Sequence, residues 1–194
     1  MSYNSRFPID LEIIFEDNFL AVINKPPGIS VSGNKFKTIQ NAIIGKLSLS
    51  NEPDALKFPR PVHRLDYSTS GLLLVAKTAS GLTYLGKQFE NKEVSKKYRA
   101  IVIGKIENEG MINSPIEGQE AVTRFVLLQH SPSLHTEWIS LVDLFPLTGR
   151  THQLRIHMAE AGFPILGDKK YGPGDKALKG KGIFLTAIEL SFIH

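Results

Sequence analysis

The sequence contains no cysteine among its 194 residues. Disulfide bonds, thiolate nucleophiles and zinc sites built on cysteine are therefore excluded. The first eleven residues lack the basic start and apolar run of a signal peptide, and no apolar stretch reaches the length that crosses a bilayer. These absences predict a soluble protein of a reducing compartment, namely the cytoplasm.

What the chain does contain is enough apolar material for a core, since 42% of its residues are hydrophobic. A chain of this length and composition can fold without a disulfide or a metal ion. We see no internal repeat and no linker, so we expect a single domain over residues 1–194.

The net charge of +4 is modest, but the basic residues are clustered. Residues 92–99 hold four basic side chains against one acid, and residues 150–181 hold seven against three. Either cluster alone is compatible with an ordinary solvated surface. Together they favour a polyanionic partner that is bound through its phosphates.

The hydrophobic pattern predicts more strands than helices. We predict a strand pair over residues 11–23 and further strands at 72–76, 98–106, 123–129, 137–144 and 183–193. Helices are predicted after the N-caps Thr38, Ser80 and Thr151, the last ending at Gly162. Residues 48–61 are expected to form a loop, and the glycine- and lysine-rich stretch 171–182 a mobile one. The absence of regular strand–helix alternation favours the α+β class with a mixed, mostly antiparallel sheet.

One carboxylate, Asp66, lies in the polar run His63-Arg64-Leu65-Asp66-Tyr67-Ser68-Thr69-Ser70-Gly71, directly before the apolar stretch 72–76. A loop held by a buried strand is where reactive groups tend to be displayed. An isolated aspartate in such a loop is also suited to capping a turn. Asp66 is therefore a candidate for chemistry that other parts of the chain must support.

That support comes from four motifs in a fixed order, and together they cover most of the chain. They are Asn24-Lys25-Pro26-Pro27-Gly28, the run at 63–71, Lys96-Lys97-Tyr98-Arg99-Ala100, and Thr148-Gly149-Arg150-Thr151-His152-Gln153-Leu154-Arg155-Ile156-His157. The last continues into Gly162-Phe163-Pro164-Ile165-Leu166-Gly167-Asp168. In sequence and order these motifs resemble the RluA family of pseudouridine synthases.

The resemblance implies a pseudouridine synthase fold whose flanking helices and loops form a central RNA-binding cleft. It implies that the chain is an isomerase converting uridine to pseudouridine in a ribosomal or transfer RNA stem-loop, without metal or other cofactor. We expect a monomer. Members of the family often carry an accessory RNA-binding domain before the catalytic one, and we expect none here, because only about ten residues precede the first predicted strand.

The resemblance also assigns roles to individual residues. Asp66 becomes the catalytic carboxylate, Arg155 its cationic partner with Arg150 as second choice, and Tyr98 the ring that stacks on the uracil. A carboxylate that is partly removed from water needs such a cation nearby to remain ionised. RNA contacts are expected from Lys25, His63, Arg64, Thr69, Ser70, Arg150, His152 and Gln153. For Arg64 three interpretations stay open: pairing with Asp66, binding phosphate, or filling the stack that a flipped uridine vacates.

The histidines and hydroxyl residues suggest other sites, which the spacing disfavours. His152 and His157 are five residues apart and so point in different directions on a helix, unlike zinc ligands. No nucleophile-elbow motif surrounds Ser70, so we reject a hydrolase triad. A non-catalytic RNA-binding protein or RNA chaperone is the main alternative, and a carboxylate glycosidase would need a second acid opposite Asp66.

Two features depart from the family pattern. The family's last strand commonly reads Leu-His-Ala, whereas this chain has Leu185-Thr186-Ala187 and ends at His194. We expect this difference to affect stability more than catalysis. Target recognition is expected from residues 34–56 and from the loop 171–182, and the sequence leaves the target RNA open.

Overall fold

The structure is a computed structural model that describes residues 9–174 and 182–194. Contacts between residues group the chain into two compact units: unit 1, Met1–Val94 with Phe192–His194, and unit 2, Ser95–Ser191. Each combines antiparallel strands with helices, which confirms the α+β class. The expected single domain stays a prediction, and the loop predicted at 171–182 lies largely outside the described residues. No helix in the described ranges is long and apolar enough to span a membrane.

Unit 1 contains four strands and two helices in its described part. These are β1 (Glu12–Glu16), β2 (Leu20–Lys25), α1 (Ile39–Ala42), β3 (Ala55–Pro61), β4 (Ser70–Thr78) and α2 (Ala79–Glu90). Strand β1 pairs with β2, β2 with β4, and β4 with β3, each antiparallel. The strand pair predicted over 11–23 is thereby confirmed.

Strand β4 is the buried centre of unit 1. Leu73, Leu74, Val75 and Ala76 have no exposed surface, as their continuous apolar run predicts. The strand begins at Ser70, so the polar run that holds Asp66 leads directly into it. A rigid element therefore fixes one end of the candidate loop.

Unit 2 contains five strands and one helix in its described part. They are β5 (Ser95–Ile103), β6 (Glu109–Ile112), β7 (Thr123–Ser133), β8 (Glu137–Pro146), α3 (Gln153–Glu160) and β9 (Leu185–Ser191). Their order is β9-β5-β8-β7-β6, with every neighbouring pair antiparallel. Helix α3 contributes Leu154 and Met158 to the apolar core of this unit.

The prediction of a loop over residues 48–61 was wrong for its second half, which forms β3. Prolines are rare inside sheets because they cannot donate to the ladder, and this stretch contains Pro59 and Pro61. The strand accommodates them because its regular pairing is interrupted: only Ala55, Arg60 and Pro61 face partners on β4. The short strand β6 was also missed.

Two helix starts differ from the prediction, whereas Thr38 caps α1 as expected. Thr78, not Ser80, caps α2, because its side chain accepts a hydrogen bond from the Gly81 amide at 3.0 Å. Helix α3 starts after His152, not Thr151, and His152 has a left-handed φ of 56° with no side-chain cap. The helix ends before Gly162, as predicted. Gly162 has a φ of 86°, which glycine adopts without strain.

Candidate active site

Residues 63–71, which we call the Asp66 loop, follow β3 and extend into the first two residues of β4 in unit 1. Asp66 is half-buried between buried Leu65 and exposed Tyr67. The amide of Thr69 donates to the Asp66 carbonyl at 3.1 Å and closes a turn around the carboxylate. The sequence thus places a partly exposed acid on a turn between two buried residues, Leu65 and Thr69.

A buried lysine holds this loop from the other side. Lys25, the last residue of β2, has no exposed surface, and its ammonium donates to the carbonyls of Thr69 at 2.7 Å and Pro26 at 2.9 Å. The amide of Gly28 adds a further tie to the Tyr67 carbonyl at 2.8 Å. The Lys-Pro-Pro-Gly motif and the Asp66 loop are therefore one hydrogen-bonded assembly within unit 1.

Burial gives Lys25 unusual electrostatics. Removal from water lowers the pKa of Lys25 from 10.5 to about 8, and the negative charge of Asp66 partly opposes this shift by raising it. The ammonium of Lys25 and the carboxylate of Asp66 are therefore close enough for their charges to attract each other. An ionised carboxylate is the form that either attack on the substrate or proton removal requires.

His63, predicted to contact RNA, is engaged within unit 1. Its ring stacks on Phe89 of α2 with centroids 4.6 Å apart, and its Nε2 accepts a hydrogen bond from the Leu74 amide at 3.1 Å. An Nε2 that accepts a hydrogen bond carries no proton of its own. His63 therefore joins the start of the Asp66 loop to α2 and β4 as a neutral ring.

In unit 2, Arg155 on α3 forms a buried ion pair that sequence reasoning did not anticipate. Its Nε and Nη2 donate to the two carboxylate oxygens of Asp168 at 2.7 and 2.8 Å, and both side chains are at most 9% exposed. Burial alone raises the pKa of Asp168, but Arg155 and the amides of Lys170 and Tyr171 outweigh it and lower the pKa. The guanidinium carbon also lies 5.0 Å from the centre of the Tyr171 ring.

The start of α3 is fixed by Gln153, another residue predicted to contact RNA. Its amide oxygen accepts from the Thr148 hydroxyl at 2.7 Å and the Arg150 amide at 3.0 Å. Its amide nitrogen donates to the Val122 carbonyl at 2.9 Å and the Thr123 hydroxyl at 3.0 Å. Gln153 is 4% exposed, so these four bonds give it a role in positioning the motif.

The remaining predicted residues of unit 2 lie around this helix start and on β5. His152 Nδ1 is 2.9 Å from the Tyr171 hydroxyl, and Arg150 donates to the Glu120 carbonyl at 2.9 Å. Tyr98 follows an irregularity in the pairing of β5 with β9, and its half-buried ring packs against the core of unit 2.

No three histidine, cysteine, aspartate or glutamate side chains meet as a metal site would require within the described ranges 9–174 and 182–194. His157 is fully buried, with Nε2 2.9 Å from the Ser114 carbonyl and Nδ1 2.9 Å from the Thr123 hydroxyl. Both of its ring nitrogens thus serve hydrogen bonds inside unit 2.

The predicted site residues fall into two groups. Lys25 and the Asp66 loop are brought together in unit 1, whereas Arg150, His152, Gln153 and Arg155 are brought together in unit 2. The pairing of Asp66 with Arg155 and the central RNA-binding cleft stay predictions, as do the RNA contacts.

Comparison with known proteins identifies the motifs. Residues 19–160 match the model of the RNA pseudouridylate synthase family, a range that includes Lys25, Asp66, Tyr98 and Arg155. The chain belongs to this family. Its members are isomerases that act on uridine in RNA, and the resemblance read from the four motifs is confirmed.

The similarity to individual relatives covers nearly all of this chain. The chain is 36% identical to the dual-specificity RNA pseudouridine synthase RluA of Haemophilus influenzae, covering 100% of this chain and 92% of that protein. It is also 36% identical to the RNA pseudouridine synthase YhcT of Bacillus subtilis, of which it spans 64%. The solved structure of human RNA pseudouridylate synthase domain containing 1 is 28% identical, with a TM-score of 0.79 over 93% of this chain and 78% of that one. The predicted pseudouridine synthase fold is thereby confirmed.

Asp168 is the residue of this synthase that the sequence reasoning left without a role. It lies beyond the region that matches the family model, and only its place in the Gly167-Asp168 pair marks it. One physical argument points to it: a buried arginine needs a carboxylate nearby to pair with its charge. The basic stretch 150–170 contains only Glu160 and Asp168 as acids, and Asp168 is the buried one.

Proposed function

We propose that this synthase isomerises a specific uridine in structured ribosomal or transfer RNA, with Asp66 as its catalytic carboxylate. The reaction breaks the bond between ribose C1′ and uracil N1 and forms a bond from C1′ to C5. The proton on C5 is lost and N1 ends protonated, so atoms and charge balance without an added reactant. Asp66 serves either as the nucleophile that attacks the sugar or base or as the base that removes a proton.

The observation that carries this proposal is the assembly of Asp66 with Lys25. The turn at Thr69 fixes the backbone of Asp66, and the buried ammonium of Lys25 fixes the loop while placing a positive charge that acts on the carboxylate. A non-catalytic RNA-binding protein would not need a carboxylate in that field, because an acid repels phosphate. The arrangement therefore favours chemistry over binding alone.

Two residues of unit 2 complete the proposed site. Arg155 pairs with Asp66 when RNA is bound, and Tyr98 stacks on the uracil and relays a proton through its hydroxyl. Stacking on an extruded base is worth about 1–3 kcal/mol. Tyr98→Phe should therefore retain RNA affinity while it slows a late proton transfer.

Arg64 has the proposed role of a stack filler. Its side chain is exposed on the Asp66 loop, two residues before the carboxylate. A uridine that reaches Asp66 must leave its stack, which costs a few kcal/mol, and a guanidinium plane inserted in the gap offsets part of that cost. Arg64→Ala should then impair duplex-embedded targets more than unpaired ones.

The test is to incubate the purified protein with unmodified transcripts of the ribosomal and transfer RNAs and to map pseudouridine at nucleotide resolution. We expect pseudouridine at one or a few positions with the wild type and none with Asp66→Asn. The control variant is Asp10→Asn, which removes an exposed acid of unit 1 and should act like the wild type.

Each failure has a distinct meaning. RNA binding without pseudouridine in any transcript would favour the non-catalytic RNA-binding alternative. Pseudouridine formed by Asp66→Asn at the wild-type rate would assign the chemistry to another group.

A further inference from the structure

A groove of about 530 Å³ lies in unit 1 between helix α1 and strand β3. We call it the α1–β3 groove, and it is lined by Gln40, Asn41, Ile44, Leu56, Lys57, Phe58, Pro59 and Arg60. Its volume is within the range of roughly 300–1,000 Å³ that is typical of ligand sites. None of the residues assigned to the Asp66 site lines it.

The groove is shaped by a break in strand pairing. Four residues of β3, Leu56–Pro59, lie between two paired positions that are separated on β4 by Lys77 alone. A bulge of this kind bends a strand and turns its side chains outward. Pro59 is buried by it, whereas Lys57, Phe58 and Arg60 are exposed, Phe58 to 45%.

The lining combines an aromatic ring with positive charge and amide groups. It contains two cations and no acid, and neither Lys57 nor Arg60 forms an ion pair with any residue in the described ranges. The nearby acid Asp54 is occupied, since its carboxylate accepts from the Ser80 amide at 2.7 Å where α2 begins. The groove therefore presents two cations without an acidic partner in the described ranges, and the Lys57 ammonium lies over one face of the exposed Phe58 ring, 5.6 Å from its centre.

We propose that the α1–β3 groove binds an unpaired nucleotide of the substrate RNA outside the target uridine. Phe58 stacks on the base, Lys57 and Arg60 contact the flanking phosphates, and the side-chain amide of Gln40 hydrogen-bonds to the base edge. The amide of Asn41 holds the wall of the groove, since its nitrogen donates to the Phe36 carbonyl at 2.8 Å. Basic grooves with exposed aromatic rings bind single-stranded RNA in this way. The proposal rests on the proposed function, which it deepens by naming a second contact with the same substrate.

The position of the groove along the chain supports a single RNA as occupant. Strand β3 runs from the groove into the Asp66 loop, and Arg60 precedes Asp66 by six residues. The amide of Val62 continues the pairing with β4 by donating to the Leu74 carbonyl at 2.9 Å. A nucleotide held in the groove is thus anchored on the element that carries the catalytic loop, which explains how a target could be selected by RNA outside the uridine.

The test compares groove variants with matched controls on helix α2. Phe58→Leu removes the ring but keeps apolar volume, and its control is Tyr84→Leu, an equally exposed aromatic of unit 1. The double variant Lys57→Gln/Arg60→Gln removes both cations, and its control is Lys87→Gln, an exposed lysine of α2. Each is assayed for RNA affinity and for single-turnover pseudouridine formation at saturating RNA.

We expect Phe58→Leu to weaken RNA binding by about 5- to 150-fold, with a single-turnover rate within about twofold of the wild type. The double variant should weaken binding and reduce the slope of log affinity against log salt by about 1.4, because about 0.7 counterions are released per single-strand phosphate. Both controls should match the wild type. Phe58→Trp keeps a stacking ring and should restore the affinity lost in Phe58→Leu.

Wild-type affinity and salt slope in both groove variants, with pseudouridine still formed, would overturn the groove and leave the proposed function intact. The opposite result is also possible: the wild type forms no pseudouridine, and the groove variants bind RNA more weakly than it does. That result would overturn the proposed function and support the groove. If Phe58→Leu misfolds, the exposed double variant and the Phe58→Trp variant decide the matter by the same measurements.

Discussion

In unit 1, the ammonium of Lys25 holds the Asp66 loop by binding neutral backbone carbonyls. In unit 2, Arg155 on helix α3 instead binds the carboxylate of Asp168 through two parallel hydrogen bonds. Burial lowers the pKa of Lys25 to about 8, because neutral carbonyls do not repay the loss of water as a full charge does. The pKa of Asp168 is lowered because Arg155 and two amides outweigh its burial.

This difference teaches which of the two sites is sensitive to pH. The Arg155–Asp168 pair keeps both charges over the whole neutral range. Lys25 titrates close to that range, so the charge that acts on Asp66 is removable by a modest rise in pH. Lys25, which holds the Asp66 loop in place, therefore also couples that loop to protonation.

The largest effect should follow from breaking the pair in unit 2. Arg155→Leu leaves the carboxylate of Asp168 buried without its cation, and we expect the free energy of unfolding to fall by about 3–5 kcal/mol in denaturant titrations. Arg155→Leu/Asp168→Leu should recover most of this loss, because no buried charge is left unpaired.

The double variant also separates structure from catalysis at Arg155. If Arg155 contacts Asp66 during the reaction, the double variant is stable and yet inactive. A stable double variant with wild-type turnover would restrict Arg155 to its structural pair.

A smaller effect, with a distinct pH dependence, should follow from Lys25→Met. Between pH 8 and 10.5 the folded protein has released the Lys25 proton while the unfolded chain still holds it. Because the unfolded state then binds more protons, the contribution of Lys25 to stability rises with pH across this window. The free energy of unfolding of the wild type minus that of Lys25→Met should therefore increase by about 3 kcal/mol from pH 7.5 to 10.5.

The measurement is denaturant unfolding of both proteins at each pH, with Lys87→Met as the control for removal of an exposed lysine. That control should show no such growth. A wild-type advantage over Lys25→Met that shrinks as pH rises would contradict the burial of a charged Lys25.

The smallest effect should come from His63→Phe. The phenyl ring can keep the stack on Phe89, but it cannot accept the hydrogen bond from the Leu74 amide, and we expect a loss of about 1 kcal/mol. Hydrogen exchange at the Leu74 amide should accelerate in this variant. Unchanged exchange there would show that the bond contributes nothing to holding the Asp66 loop on β4.

The comparison of the two regions also explains what could be predicted from the sequence. Strand β4 and the strand pair before it follow from local apolar patterns, which a single sequence displays. The bulged strand β3 does not, because Pro59 and Pro61 are compatible with a strand only once their neighbours on β4 are known.

Residue roles divide in the same way. Asp66 is found by its motif, because the family pattern surrounds it on both sides. The burial of Lys25 and Gln153 cannot be predicted from their motifs, because it depends on hydrogen-bond partners that are distant in sequence. Examples are the carbonyl of Thr69 for Lys25 and that of Val122 for Gln153. Motifs name candidate residues of a site, whereas the three-dimensional contacts show which of them hold other parts of the protein in place.

The most direct measurement follows the proton that isomerisation must release. RNA labelled with tritium at uracil C5 is incubated with the wild type, with Asp66→Asn and with Asp10→Asn, and tritium entering the solvent is counted. The account predicts one tritium per modified uridine for the wild type and Asp10→Asn and none above background for Asp66→Asn. Release by Asp66→Asn at the wild-type rate would contradict the assignment of the chemistry to Asp66.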